Sequence, residues 1–590
     1  MKAKAKAKAK KVRNFDRRLW TRFWQIAKPY WVGEDKWKAR LLLGLLVVLL
    51  VGRTEFNVLF NQQSGDFTSA LAEHEPARFW RTMHWFGLTL LGGVPIYAYY
   101  YYVRDRLGVA WRRWLTHHFL AKYLENRAFY SLSTNDAVDN PDQRIAEDIN
   151  SFSARSLLFL LEIVGAILQL IAFSGVLWSI SRALVGILIV YAVLGTVVTF
   201  GFFAKPLIGL NYQQLRREAD FRFGLIRIRE NAEAIAFYRG EAREGRHVRE
   251  RFRALYDNYL RLLRRTVGLN LVQYAYTFVT YALPSVVIAP RIISGELEVG
   301  RAVTAGGAFT AMLSALTVFV DKFETLSAFA AGIDRLHGFA KVLSDDGKGP
   351  DENLEWLEHP KLELENVTLK VPRQERTLVS ELNVSVGEGE GLAIVGASGG
   401  GKSSLLRAVA GFWRAGSGVI RRPRLEDMLF LPQRPYMIID TLRHQLLYPR
   451  VDREVSDAEL REVLAKVNLP DIVERCGGFD TPLDFGKVLS LGEQQRLAVA
   501  RVLLAKPRYT VLDEATSALD LENEAALYAL LAELDTTLVS VTHRGAPVRH
   551  HRQVLELHGD GSWTLREVEP SGVAGDPPSS ADDERAGERA

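Results

Sequence analysis

A chain of 590 residues with 48% hydrophobic residues and a formal net charge of +6 is long enough for more than one domain. Its single cysteine, Cys476, excludes an intrachain disulfide and any cysteine-rich metal site. The near-zero mean hydropathy averages a strongly apolar first half with an ordinary globular second half, and the modest basic excess gathers in a few segments, so it reads through membrane topology and no nucleic-acid partner is expected.

Residues 1–11 alternate Lys and Ala without an apolar core or cleavage site, so a solvated cytosolic tail is expected and not a secretory signal peptide. The stretch 17–38, rich in Trp, Tyr and Arg, reads as an amphipathic helix at a membrane surface and closes a first region over 1–38. A membrane domain over 39–343 follows, with six stretches long enough to cross a bilayer at 39–60, 79–103, 156–180, 183–204, 267–293 and 302–331. Lys and Arg crowd before the first span, in 104–155 and above all in 205–265, which puts both termini on the cytosolic side. The two long basic loops are too charged for lipid and too periodic to be loose. They are expected to extend the spanning helices into the cytosol.

Several spans carry polar residues at helical spacing. In the sixth, Thr310, Ser314, Thr317, Asp321 and Glu324 share a face; in the fifth, Asn270, Gln273, Thr277 and Thr280; in the third, Glu162 and Gln169; in the first, Arg53, Asn57 and Asn61. Single hydroxyls and amides at such positions commonly glue helices together. Glu162, Asp321 and Glu324 instead point to a water-filled cavity, acidic overall because Arg53 is its one evident base.

A linker is expected over 344–360, where Asp, Gly and Pro gather, then a nucleotide-binding domain over 361–569, opening with alternating strands, and a disordered tail over 570–590. Within that domain Gly396-Ala397-Ser398-Gly399-Gly400-Gly401-Lys402-Ser403 reads G-x-x-x-x-G-K-S between a buried strand and a helix opening at Ser404. Glycines let backbone N–H groups converge on phosphates, Lys402 adds a charge at the β/γ-phosphates, and the Ser403 hydroxyl suits Mg²⁺. A second apolar strand ends in Asp513 and Glu514, placing Asp513 near the metal and Glu514 where it can orient or deprotonate a water. Gln433 follows Leu431-Pro432, Ser490 and Gly492 lie in Leu489-Ser490-Leu491-Gly492-Glu493-Gln494-Gln495-Arg496, and Ser517-Ala518-Leu519-Asp520 and His543 come after.

That ordered set resembles the Walker A, Q-loop, signature, Walker B, D-loop and H-loop of an ABC ATPase. The resemblance implies ATP and Mg²⁺ as cofactors, with Ser403, Gln433 and Asp513 toward the metal, Ser490 and Gly492 toward the γ-phosphate held by a second copy, and His543 beside Glu514 and Lys402 as catalytic groups. The signature departs from LSGGQ at Leu491 and Glu493, and no Phe, Tyr or Trp lies between 357 and 411 to stack adenine, which leaves Val371 and Pro372 for apolar contacts. Asp139-Asn140-Pro141-Asp142 with Glu147-Asp148-Ile149, Asn211-Tyr212-Gln213-Gln214 and Glu230-Asn231-Ala232-Glu233 resemble the SbmA/BacA-like transporters and the peroxisomal subfamily D ABC transporters. This implies an exporter-type fold, a helical six-span membrane domain followed by an α/β P-loop ATPase domain, working as a homodimer in the bacterial inner membrane. Bacterial members imply uptake of peptides, peptide-like antibiotics or cobalamin; peroxisomal members imply fatty acyl-CoA; export remains an alternative.

Overall fold

The computed structural model describes residues 17–133, 141–344, 352–372, 376–542 and 545–568, in two compact units, Met1–Asp346 and Gly347–Ala590. The first is helical: α1 Arg17–Val32, α2 Lys36–Ala72, α3 Pro76–Leu124, α4 Ile149–Ile180, α5 Arg182–Thr199, α6 Lys205–Glu230, α7 Glu241–Ile293, α8 Gly300–Asp321 and α9 Phe323–Ser344. By length and composition, Lys36–Ala72, Pro141–Ile180, Arg182–Phe203 and Glu241–Ile293 can each cross a membrane. The other two expected spans lie in α3 and across α8 and the start of α9.

Helix α7 has 53 residues, about 80 Å at 1.5 Å each, against a hydrocarbon core of about 30 Å. The helix is therefore longer than a bilayer core requires, and its polar first half packs beside α6. Asn258 Nδ2 donates to Leu210 O and to Gln214 Oε1, and Arg251 donates to Asp220 O. Lipid is as apolar as a leucine side chain, so packing and polar contacts, rather than loss of water, hold the spans together. An aromatic seam does much of this. Tyr30 stacks on Trp111, Phe152 meets Trp111 and Phe329, and the Tyr191 and Tyr276 rings stack 4.2 Å apart while each hydroxyl donates to the other's carbonyl.

Two boundaries differ from expectation. The sixth span is interrupted at one residue, Lys322, between α8 and α9, where Lys322 N–H still donates to Val318 O and Leu326 N–H to Lys322 O. The expected linker 344–360 contains strand β1, Glu352–Glu358, which pairs with β5, Gly416–Arg422, in parallel. The expected tail over 570–590 lies outside the described residues.

In the second unit β2 Leu362–Lys370 and β3 Thr377–Val386 are antiparallel and complete a four-stranded sheet ordered β1-β5-β2-β3. After β4, Leu392–Gly396, comes helix α10, Lys402–Val409. Strands β6 Met428–Leu431, β9 Tyr509–Asp513, β10 Thr537–Val541, β11 Gln553–Leu557 and β12 Trp563–Glu567 join β4 in a six-stranded sheet ordered β12-β11-β4-β10-β9-β6, parallel except for β12. Strands β9 and β10 are buried almost throughout, and β4 over its first three residues, because helices cover both faces of a parallel sheet. A two-stranded pair, β7 Ile439–Asp440 with β8 Leu483–Asp484, and, among its helices, α11 Leu491–Ala505 and α12 Leu521–Ala532 belong to the same unit.

Candidate nucleotide site and membrane cavity

In an open parallel sheet, ligands bind outside the carboxyl ends of the strands. The loops after β4, β6, β9 and β10 all emerge there. The loop after β4 bends through Gly396, Gly399 and Gly401, with φ of +133°, +79° and +98°. At Gly396 an added Cβ would strike the Leu557 carbonyl, and Gly401 is the left-handed residue from which α10 starts. Gly400 N–H donates to Ala397 O, and Ser398 lies within the same turn. The free N–H groups of the first turn of α10, Ser403 and Ser404 among them, suit phosphate.

Lys402 is buried, its Nζ donating to Gly396 O at 2.8 Å and Ala397 O at 2.9 Å. Burial lowers its pKa, partly opposed by Glu514 and Asp513. Ser403 Oγ donates to Asp513 Oδ1 at 2.9 Å. Burial raises the Asp513 pKa, the Ser403 bond works against this, and Glu514 adds to it. A hydroxyl and a carboxylate side by side form the oxygen donor set that a hard dication prefers, so these residues fit Mg²⁺.

Gln433 Nε2 donates to Glu514 Oε2 at 2.8 Å. Glu514 itself has φ +50°, a left-handed conformation that costs a non-glycine residue roughly 1–2 kcal/mol. Its N–H donates to Val541 O at 3.2 Å. The strained backbone turns the carboxylate off the end of β9 toward the Q-loop glutamine, where it can accept a proton from water. His543 lies outside the described residues.

Ser490 caps α11, and Glu493 completes the cap: Glu493 N–H donates to Ser490 Oγ, and Ser490 N–H donates to Glu493 Oε2 at 2.8 Å. Burial would raise the Glu493 pKa, but Arg475, 2.5 Å away, and Ser490 together hold it below the usual carboxylate range. The departure from LSGGQ at this position thus serves the cap. Gly492 occupies the first turn of α11.

Sequence reading missed two residues. Gln495 is fully buried; its Nε2 donates to Gln433 O, and its Oε1 accepts from Ala518 N–H, both at 3.0 Å, tying the Q-loop to the D-loop. Arg501 is buried, donating to Gln445 O at 2.7 Å, Gln445 Oε1 and Tyr436 O, and burial lowers its pKa to about 10. Their positions in the signature helix were the only available signal. Val371 is half-buried against the apolar core and bonds Arg376 O, leaving it beside the expected adenine position as a small apolar surface.

In the helical unit Arg53, Glu162, Gln169 and Ser314 come together around a cavity of about 300 Å³, joined by Arg104. Other polar residues of the expected lining either link two helices or bond the backbone of their own turn. Asn57 accepts from Tyr97 OH, Asn61 donates to Thr304 O, Thr277 bonds Gln273 O, Thr280 bonds Tyr276 O and Thr310 bonds Gly306 O. The side chains of Asp321 and Glu324 lie outside the described residues. Glu162 has Lys322 Nζ 3.9 Å away, and the described lining holds Arg53 and Arg104 beside Glu162.

Residues 26–293 match the family described as ABC transporter transmembrane region 2, and residues 379–517 match ABC transporter. An uncharacterised ABC transporter ATP-binding protein of Synechocystis sp. is 44% identical over 91% of this chain and 83% of its own length. The lysosomal cobalamin transporter ABCD4 of Mus musculus is 33% identical over 78% of this chain and 82% of its own. The structure of a bacterial Atm1-family ABC exporter with ATP bound superposes with a TM-score of 0.70 over 88% of this chain and 94% of that one, at 21% identity, and so shares the fold. The chain belongs to the ABC transporters, as a half-size, ATP-hydrolysing member with a helical transmembrane domain followed by an ABC ATPase domain.

Proposed function

We propose that two copies of this chain form a homodimer that imports a bulky hydrophilic solute, such as a peptide, a peptide antibiotic or cobalamin, across a bacterial inner membrane with both termini cytoplasmic. The observation that carries the nucleotide part is the pair of bonds Ser403–Asp513 and Gln433–Glu514 at the carboxyl ends of β4, β6 and β9. In this reading Gly396 to Ser404 cradle the phosphates of ATP; Ser403, Asp513 and Gln433 hold Mg²⁺, which when bound offsets phosphate charge. Lys402 exchanges its loop carbonyls for phosphate oxygens, Glu514 positions and deprotonates water, and His543 joins them as a catalytic group. Ser490 and Gly492 serve the nucleotide of the partner copy.

Dimerisation is supported by the single P-loop and single signature in the chain. The lysosomal cobalamin transporter among the relatives favours a large polar solute. The direct test is transport by full-length protein in vesicles whose ATPase domains face outward. On adding ATP outside, an importer empties the lumen of labelled peptide or cobalamin; ATP-driven filling of the lumen would mean export. A labelled acyl-CoA moving in place of both would return the alternative lipid reading.

A further inference from the structure

Arg53 lies in α2, one of the helices long and apolar enough to span a membrane. Among the described residues it has no hydrogen bond or ion pair. Its guanidinium lies instead 4.7 Å from the ring centroid of Tyr100 and 5.7 Å from that of Tyr97. Ring faces attract a cation without neutralising it, and they leave the N–H edge of the guanidinium able to donate two parallel bonds.

The other charges at the cavity are matched. Arg104 Nε donates to Asp105 Oδ1 at 2.8 Å, and Glu162 faces Lys322. Gln169 and Ser314 line the same cavity, and among the described residues neither side chain has a hydrogen-bond partner. An uncompensated cation within a span is costly and marks function more often than packing. A cavity of about 300 Å³ holds a head group rather than a whole bulky solute.

We infer that Arg53, laid on Tyr100 and Tyr97 with Gln169 and Ser314 at the same wall, is an oxyanion subsite that takes a carboxylate or phosphate group of the carried solute. The inference rests on the transport reading. A planar, permanently charged fork suits a two-oxygen anion, and the amide and hydroxyl can share the remaining lone pairs.

The test uses full-length protein in phosphatidylcholine nanodiscs and one short fluorescent Gly-Ser peptide in three forms: acetylated free acid, acetylated amide, and free-amine amide. Binding is read by anisotropy. Wild-type protein should bind the acid about tenfold more tightly than the neutral amide, the worth of one charged hydrogen bond. Arg53→Gln should bring that ratio close to one, and Arg53→Lys, which keeps the charge but not the planar fork, should retain part of it. Equal binding of all three forms, preference for the amine form, or an acid preference that survives Arg53→Gln would each overturn the proposal. If adding phosphatidylglycerol to the disc abolishes the wild-type preference, the site belongs to lipid head groups and the assignment to the solute falls. Vesicle transport is scored separately, so transport without acid preference defeats this inference alone, and absence of transport defeats the reading beneath it.

Discussion

In the ATPase unit the polar side chains of the site hold one another across strand ends, as Ser403 does Asp513 and Gln433 does Glu514. In the helical unit most polar side chains bond the backbone of their own helix or of a neighbour, as Thr277, Thr280, Thr310 and Asn61 do. The difference follows from the two scaffolds. A parallel sheet fixes several loops at one edge, so side chains from distant segments can meet. Helices in lipid must satisfy polar groups wherever they fall, and a residue such as Arg53, which among the described residues has no hydrogen bond or ion pair, is left for a ligand.

The largest expected effect breaks the ATPase side of that comparison. Glu514→Gln keeps the hydrogen bond to Gln433 possible but removes the base, so ATP hydrolysis should fall about 10²- to 10⁴-fold while ATP binding stays close to wild type. Turnover by the purified variant and equilibrium ATP binding check both halves of that expectation. Next, Arg501→Met strips donors from Gln445 O, Gln445 Oε1 and Tyr436 O inside the unit. It should cost about 2–4 kcal/mol of local stability, seen as faster amide exchange over residues 436–448. Unchanged exchange would mean the arginine does not anchor that loop.

A smaller effect separates coupling from binding. Gln495→Ala removes both bonds between the Q-loop and the D-loop and should slow hydrolysis about tenfold with little change in ATP affinity, whereas a purely structural glutamine would lower the unfolding temperature and leave the turnover of the folded fraction intact. The smallest lies on the membrane side. Asn61→Leu removes one bond from α2 to Thr304 on α8, and the loss should be only about 0.6 kcal/mol, the mean for such bonds between spanning helices, read as a small drop in unfolding temperature in detergent. A loss several times larger would show that these amides do more than glue.

Much of the ATPase site was legible because its motifs are local. Gly396 to Ser403 and Asp513-Glu514 each lie on one strand and its loop, so residue type and spacing carry the chemistry. Gln495 was not, because its partners are backbone atoms of Gln433 and Ala518, and a backbone acceptor leaves no mark in sequence. The break at Lys322 was hidden by apolar periodicity that continues across it. Arg104 was read as part of a basic cytosolic loop, although it reaches the cavity from the middle of α3. Strand β1 was hidden by the Asp-, Gly- and Pro-rich run before it and by a partner, β5, far along the chain. The partner of Glu162 was not legible either, since helical spacing shows which residues share a face but not which cation, here Lys322, stands across from them.

The claim that the paired groups of one chain form half of a shared catalytic site is tested most directly by mixing two damaged forms. Lys402→Ala chains lack the phosphate cradle's charge, Ser490→Arg chains lack a usable signature, and each homodimer should be inactive. Mixed dimers contain one doubly damaged site and one site with both halves intact. Partial recovery of ATP hydrolysis on mixing, greatest near equal amounts, is the expected result; no recovery at any ratio, with mixed dimers shown to form, would contradict it.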